Sequence, residues 1–126
     1  MRNETQKVKL LYIAQILYEE TDEQNILTGD DIVKRLREKG IACERKSVYS
    51  DLDVLAEFGM DIIRGRRGAY LASRTFEVPE LKLLVDAVQS AKFITEAKSR
   101  ELIGKLAHLT NRQEAAKFTD QVVVHD

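Results

Sequence analysis

The stretch RKSVYSDLDVLAEFG, residues 45–59, has the spacing of an amphipathic helix that turns by about 100° per residue. Val48, Leu52, Leu55 and Phe58 fall on one side of this helix, and we predict that all four are buried. The opposite side is basic and hydroxylic in its first half and acidic in its second half. The outward-facing residues are Lys46, Ser50, Asp53 and Glu57, with Tyr49 on the flank. The stretch therefore predicts a helix that packs on one side and presents a chemically divided face on the other.

Two helices are predicted before this one. Residues 8–20 are apolar around most of the helix circumference, which indicates a central helix covered on several sides or partly by an oligomer contact. Thr28 and Asp31 have the spacing of a capping box, and Gly40 suits the residue that follows a helix. Residues 28–40 therefore predict a second helix, and only three residues separate it from the third.

A β-hairpin is predicted directly after the third helix. Ile62 and Ile63 are β-branched, which favours a strand, and residues 65–68 read Gly-Arg-Arg-Gly, which is typical of a turn. The apolar residues that follow can return as the second strand. Arg66 and Arg67 are therefore expected at the tip of the hairpin.

The last third of the chain is predicted to be helical. Pro79 can open a helix at its first position, and a further helix is expected over residues 95–108. Thr110 and Gln113 have capping-box spacing for a short helix, while residues 121–126, QVVVHD, favour a strand. The apolar stripes of these helices fit either a small second core or a dimer contact, and we favour the dimer.

The composition of the chain limits the classes of function that are expected. The chain has 126 residues and is 44% hydrophobic, which suits one small domain with a helical extension. Its single cysteine, Cys43, excludes an internal disulfide and is expected to be a buried filler. No metal-ligand cluster, phosphate loop or nucleophile motif is present, so neither an enzyme nor a cofactor is expected. No apolar run is long enough to span a bilayer, and a cytoplasmic location without membrane contact is expected.

The net charge of -1 conceals an uneven distribution. Residues 1–33 carry three cations and seven acids, and residues 75–126 carry seven cations and eight acids. Residues 34–74 carry ten cations and six acids, which gives this segment a net charge of +4. The positive charge therefore coincides with the third helix and the hairpin.

The order of elements is that of a winged helix-turn-helix: a helix, a capped helix, a short turn, an amphipathic helix and a basic hairpin. In such proteins the third helix enters the major groove of DNA, and the hairpin, or wing, contacts phosphates or the adjacent minor groove. The fold class predicted is therefore mainly α with a small β-hairpin wing, followed by a helical extension.

Two longer stretches resemble the WYL-domain family of bacterial transcriptional regulators. ERKSVYSDLDVLAEFGMDI, followed by RGRRGAYL, is similar to the N-terminal winged helix of that family. FEVPELKLLVDAVQSAKFITEAKSRELIGKLAHL resembles the helical linker that follows it. The resemblance implies a DNA-binding domain over residues 1–75, a linker and dimerisation segment over 76–118, and the start of a truncated C-terminal domain over 119–126.

The resemblance also implies the partners and the site. Double-stranded DNA and a second copy of the chain are the expected partners, and a small-molecule or nucleotide effector would bind only through the missing C-terminal domain. The chain departs from many relatives at Ser50, where they carry arginine, and at Glu44, where they carry a serine or aspartate cap. The residues expected to face DNA are Arg45, Lys46, Ser47, Tyr49, Ser50, Arg66 and Arg67.

Three questions stay open from the sequence. The same fold serves as a protein-interaction module in other complexes, so DNA binding has a competing interpretation. The chain is either the N-terminal half of a longer regulator or a naturally short protein, and an unpaired final strand would favour the longer regulator, because such strands aggregate. Asp51 lies at the edge of the buried side of the third helix, and we expect a structural hydrogen-bonding partner rather than a contact to a base.

Overall fold

The computed structural model describes the backbone of residues 3–124 and the side chains of residues 5–118. It is mainly helical, with one two-stranded antiparallel sheet in this part of the chain. The elements in chain order are α1 (Asn3–Glu20), α2 (Gly29–Glu38), α3 (Arg45–Phe58), β1 (Ile62–Gly65), β2 (Gly68–Leu71), α4 (Val78–Ser90), α5 (Glu96–Ala107) and α6 (Arg112–Val124). The chain divides into a first unit, Met1–Ser73, and a second unit, Arg74–Asp126.

The core of the first unit is built by α1, α2, α3 and the hairpin. Each helix contributes apolar residues at three- and four-residue spacing, which places them on one face. The buried residues are Ile13, Ile16, Leu17, Leu27, Ile32, Leu36, Ile41, Val48, Leu52, Leu55, Ala69 and Leu71. Three of the four residues of α3 that were predicted to be buried are therefore confirmed.

The fourth of these predictions is wrong, because Phe58 is 85% exposed. Leu52 and Leu55 lie within about 40° of Val48 around the helix, whereas Phe58 lies about 80° away. Phe58 also belongs to the last turn of α3, and Gly59, with φ 128°, directs the chain away from it. The periodicity of the stretch was correct, but the final turn extends past the elements that cover the others.

The ends of α2 agree with the sequence pattern. The Thr28 hydroxyl accepts a hydrogen bond from the backbone N–H of Asp31 at 3.0 Å, and the Asp31 carboxylate accepts one from the backbone N–H of Thr28 at 2.9 Å. The hydrogen bond from the Thr28 backbone is the largest cause that holds the pKa of Asp31 below its usual value. Gly40 follows the helix with φ 85°, so both predicted ends are confirmed.

The hairpin is attached to the helices by backbone hydrogen bonds. Its register pairs Ile62 with Leu71 and Gly65 with Gly68, which leaves a two-residue turn. Leu27, just before α2, exchanges two backbone hydrogen bonds with Ala69 of β2, at 3.1 and 2.8 Å. The hairpin is thereby held against the start of α2.

The second unit has its own small core, formed by α4, α5 and α6. Pro79 lies in the first turn of α4, and the Thr95 hydroxyl caps α5 by accepting from the Lys98 N–H at 3.2 Å. The cap of α6 is Asn111, whose side chain accepts from the Glu114 N–H at 3.0 Å, and not Thr110 as predicted. The buried residues are Leu81, Val85, Ile103, Ala107 and Phe118.

The segment QVVVHD was predicted to be a strand, and this is wrong for the part described, since α6 continues to Val124. A strand needs a neighbouring strand for its hydrogen bonds, whereas a helix satisfies its own backbone. No strand among residues 3–124 pairs with this segment. His125 and Asp126 lie outside the described residues.

Candidate nucleic-acid interface

The first half of α3 presents exposed polar side chains, as the helical spacing predicts. Lys46 and Ser50 are exposed on the side opposite the core. Arg45 is also exposed, and its guanidinium lies 3.6 Å from the carboxylate of Asp30 at the start of α2. α3 thus carries two cations and a hydroxyl on its accessible first turns.

Glu44 lies immediately before α3 and makes no side-chain cap hydrogen bond. The Ser47 hydroxyl instead donates to the Glu44 carbonyl oxygen at 3.0 Å. Ser47 is half-buried and also accepts a hydrogen bond from the Lys9 ammonium at 2.9 Å. Ser47 is therefore engaged within the protein, in contrast to Lys46 and Ser50.

Lys9 is a buried cation beneath the first half of α3, and the sequence interpretation did not identify it. Its side chain is 1% exposed, and its ammonium lies 2.9 Å from the Asp51 carboxylate as well as 2.9 Å from the Ser47 hydroxyl. Asp51 was predicted to be a structural hydrogen-bonding partner; it instead forms an ion pair within the protein, and its buried Oδ2 atom makes no hydrogen bond to the described residues. Lys9, Ile13 and Leu17 are four residues apart, so the buried stripe of α1 contained a signal for a buried lysine.

Arg64 of β1 connects the hairpin to α3, and it too was missed. Its guanidinium forms an ion pair with the Asp53 carboxylate and lies 5.4 Å from the centre of the Tyr49 ring. Alternation along β1 places Arg64 on the same side as Ile62, whose partner Leu71 is buried. This alternation in the sequence was the signal that could have identified Arg64.

Arg66 and Arg67 form the turn of the hairpin, and both are exposed. Among the described side chains, neither has an acidic partner. The prediction that two arginines lie at the hairpin tip is therefore confirmed. Whether they contact DNA stays a prediction.

A cleft of about 340 Å³ lies where the start of α2, α3 and the hairpin meet. Tyr49 of α3, Arg64 and Arg66 of the hairpin, and Thr28 and Gly29 at the start of α2 all line it. Gly29 is packed so closely that a β-carbon would lie 2.8 Å from the Tyr49 hydroxyl. The cleft thus has a basic rim on the hairpin side, which is suited to an anionic group.

The described residues include no group of histidine, cysteine, aspartate or glutamate side chains that could hold a metal ion. None of the helices within residues 3–124 is long and apolar enough to cross a membrane. Comparison of the chain with family models, with curated proteins and with solved structures found no match.

Proposed function

We propose that the first unit is a winged helix-turn-helix that binds double-stranded DNA, as the DNA-binding part of a cytoplasmic transcriptional regulator that acts by binding and not by catalysis. In this proposal α3 lies in the major groove, with Lys46, Tyr49 and Ser50 towards the bases. Arg66 and Arg67 contact phosphates or the adjacent minor groove.

The observation that carries this proposal is the cleft at the junction of α2, α3 and the hairpin. Tyr49, Arg64 and Arg66 line it together, so the flank of α3 that carries Tyr49 lies next to the basic tip of the hairpin. Asp53 lies on the same side of α3, but its charge is offset by Arg64. Both elements also carry exposed cations, Arg45 and Lys46 on α3 and Arg66 and Arg67 at the hairpin tip. Such charges fit the regular negative charge of a DNA backbone.

A double substitution of Arg66→Ala and Arg67→Ala tests the role of the hairpin tip. We expect weaker binding to any duplex and a salt dependence reduced by about 0.9 per lost phosphate contact in a plot of log K against log salt. Fluorescence anisotropy with a labelled duplex at several salt concentrations measures both quantities.

The matched control is Lys82→Ala with Lys92→Ala, which removes two exposed cations from the second unit. It changes the net charge equally and should leave the salt dependence near that of the unmodified protein. Equal effects of the two double substitutions would contradict a specific role for the hairpin tip.

A second candidate function is a protein-interaction module. Val54 and Phe58 are four residues apart on α3 and are 47% and 85% exposed, so the second half of α3 has an apolar surface. Exposed apolar pairs of this kind favour a protein partner over a phosphate backbone. Absence of duplex binding even at low salt would favour this second function.

We also propose that the second unit mediates homodimerisation. An apolar groove of about 500 Å³ lies on it, lined by residues including Leu84, Val88, Leu102 and Leu106. Phe93, which also lines the groove, is 90% exposed. A dimer would cover this surface and would bring together two DNA-binding units for paired half-sites.

Sedimentation equilibrium tests the dimer through Phe93→Ser. Because Phe93 is the most exposed apolar residue of the groove, its replacement should weaken self-association by about tenfold or more. Lys92→Ser is the control, since Lys92 is adjacent and exposed but does not line the groove. A monomeric unmodified protein, or equal association constants for both variants, would contradict the proposal.

A further inference from the structure

Two arginines on the proposed DNA-binding surface are paired with carboxylates in the free protein. Arg45 lies 3.6 Å from Asp30, and Arg64 forms an ion pair with Asp53. Among the described residues, Lys46, Arg66 and Arg67 have no such partner. The two ion pairs therefore lie where α3 meets α2 and where α3 meets β1, and the other exposed cations of this surface are unpaired among the described residues.

The position of Asp53 needs an explanation if α3 reads DNA. At about 100° per residue, Asp53 lies only about 20° from Lys46 around the helix, so it points to the same side as the predicted DNA contacts. A carboxylate there repels phosphate. Its side chain is 73% exposed, so burial against other elements does not account for it.

The Arg64 side chain is arranged so that its carboxylate partner can be exchanged. It is 37% exposed, lines the cleft and rests against the Tyr49 ring. Ion pairs with this exposure contribute little to stability, and a guanidinium has more donors than one carboxylate occupies. The ring can therefore hold the guanidinium in place while one anion replaces another.

We propose that Arg64 is a further DNA-contacting residue and that Asp53 is its counterion in the free protein, which a backbone phosphate must displace. This inference rests on the proposed function of the first unit. Because the competition acts on every duplex alike, Asp53 weakens binding that relies on phosphates alone. The ratio of affinities between duplexes is unchanged, but duplexes held by phosphates alone are released first, and those that also gain base contacts from the first half of α3 stay bound.

If the Arg64–Asp53 ion pair had only a structural role, the two substitutions would have a different outcome from the one that our proposal predicts. If the ion pair only anchored the hairpin to α3, removal of either partner would loosen the hairpin, and both substitutions would weaken DNA binding. In our proposal the two substitutions act in opposite directions. Arg64→Ala removes a phosphate contact, whereas Asp53→Asn removes the competitor.

The experiment measures binding of the full chain to a labelled duplex of mixed sequence by fluorescence anisotropy at several salt concentrations. Asp53→Asn should raise the affinity by about two- to fivefold, the range expected from one exposed ion pair. Arg64→Ala should lower the affinity and reduce the salt dependence by about 0.9. Glu57→Gln, which removes another exposed acid one turn later on the same side, controls for the change in net charge.

The outcomes distinguish three claims: the counterion role of Asp53, the DNA contact of Arg64 and the proposed function of the first unit. An Asp53→Asn variant that binds more weakly, or that gains no more than Glu57→Gln, overturns the counterion proposal. If Arg64→Ala left both the affinity and its salt dependence unchanged, the proposal that Arg64 contacts DNA would be wrong. If the unmodified protein bound no duplex at any salt concentration, the proposed function itself would be wrong, which separates that failure from the others.

Discussion

Replacement of Lys9 by methionine should lower the free energy of unfolding of the first unit by about 3 kcal/mol. Methionine retains most of the side-chain volume, so the loss comes from the charge and not from a cavity. The Asp51 carboxylate, which is 16% exposed, would be left without its cation, and the Ser47 hydroxyl would lose a donor. Denaturant unfolding followed by tyrosine fluorescence reports on this unit alone, because all four tyrosines lie within the first 73 residues.

Three further variants isolate the ion pair. Lys7→Met removes an exposed cation from the same helix and should change the unfolding free energy by less than about 0.5 kcal/mol. Asp51→Asn should destabilise through the same contact, and Lys9→Met combined with Asp51→Leu should recover part of the loss, because apolar replacements of a buried pair are tolerated. Equal stabilities of Lys9→Met and Lys7→Met would contradict the buried ion pair.

Gly68→Ala should destabilise the first unit by about 4 kcal/mol, through backbone strain and overlap with a neighbouring segment. Gly68 has φ 126°, which side-chain-bearing residues rarely adopt, and a β-carbon would lie within 2.6 Å of the Leu27 carbonyl carbon. The overlap falls where Leu27 pairs with Ala69, so the hairpin would be forced away from the start of α2. Tyrosine-monitored unfolding measures this loss as well.

Two other glycines separate the two causes. Gly59 has φ 128° but open space around its α-carbon, so Gly59→Ala carries the backbone strain alone, about 1–3 kcal/mol. Gly65 lies at the opposite end of the hairpin turn, where a β-carbon would meet open space and φ is not positive, so Gly65→Ala should be nearly neutral. If Gly68→Ala were no more destabilising than Gly59→Ala, the close approach of Leu27 would be without energetic consequence.

Local signals were the reliable part of the sequence interpretation. The capping box of Thr28 and Asp31, the glycine after α2 and the glycine-flanked turn of Arg66 and Arg67 all depend on residues within a few positions of each other. Neighbouring residues determine such features because their hydrogen bonds close within one turn. These predictions were confirmed for that reason.

Predictions that required a covering element were less reliable. Phe58 has the spacing of a core residue, but burial also needs a neighbour over the last turn of α3, and none of the described elements supplies one. The apolar end of α6 has strand propensity, yet it is helical because β-structure requires a pairing strand. Periodicity and propensity are properties of one segment, whereas burial and strand pairing also depend on a second segment that covers it or pairs with it.

The same distinction applies to the residues of the candidate DNA-binding surface. The exposure of Lys46, Ser50 and the two arginines of the turn followed from helical spacing and turn chemistry in the sequence by itself. The partners of Ser47 and Arg64 did not, since Lys9 is 38 residues from Ser47 and Asp53 is 11 residues from Arg64. Only the tertiary structure brings α1 beneath α3 and β1 beside it, because packing of the shared apolar core, and not local charge, sets which polar side chains meet.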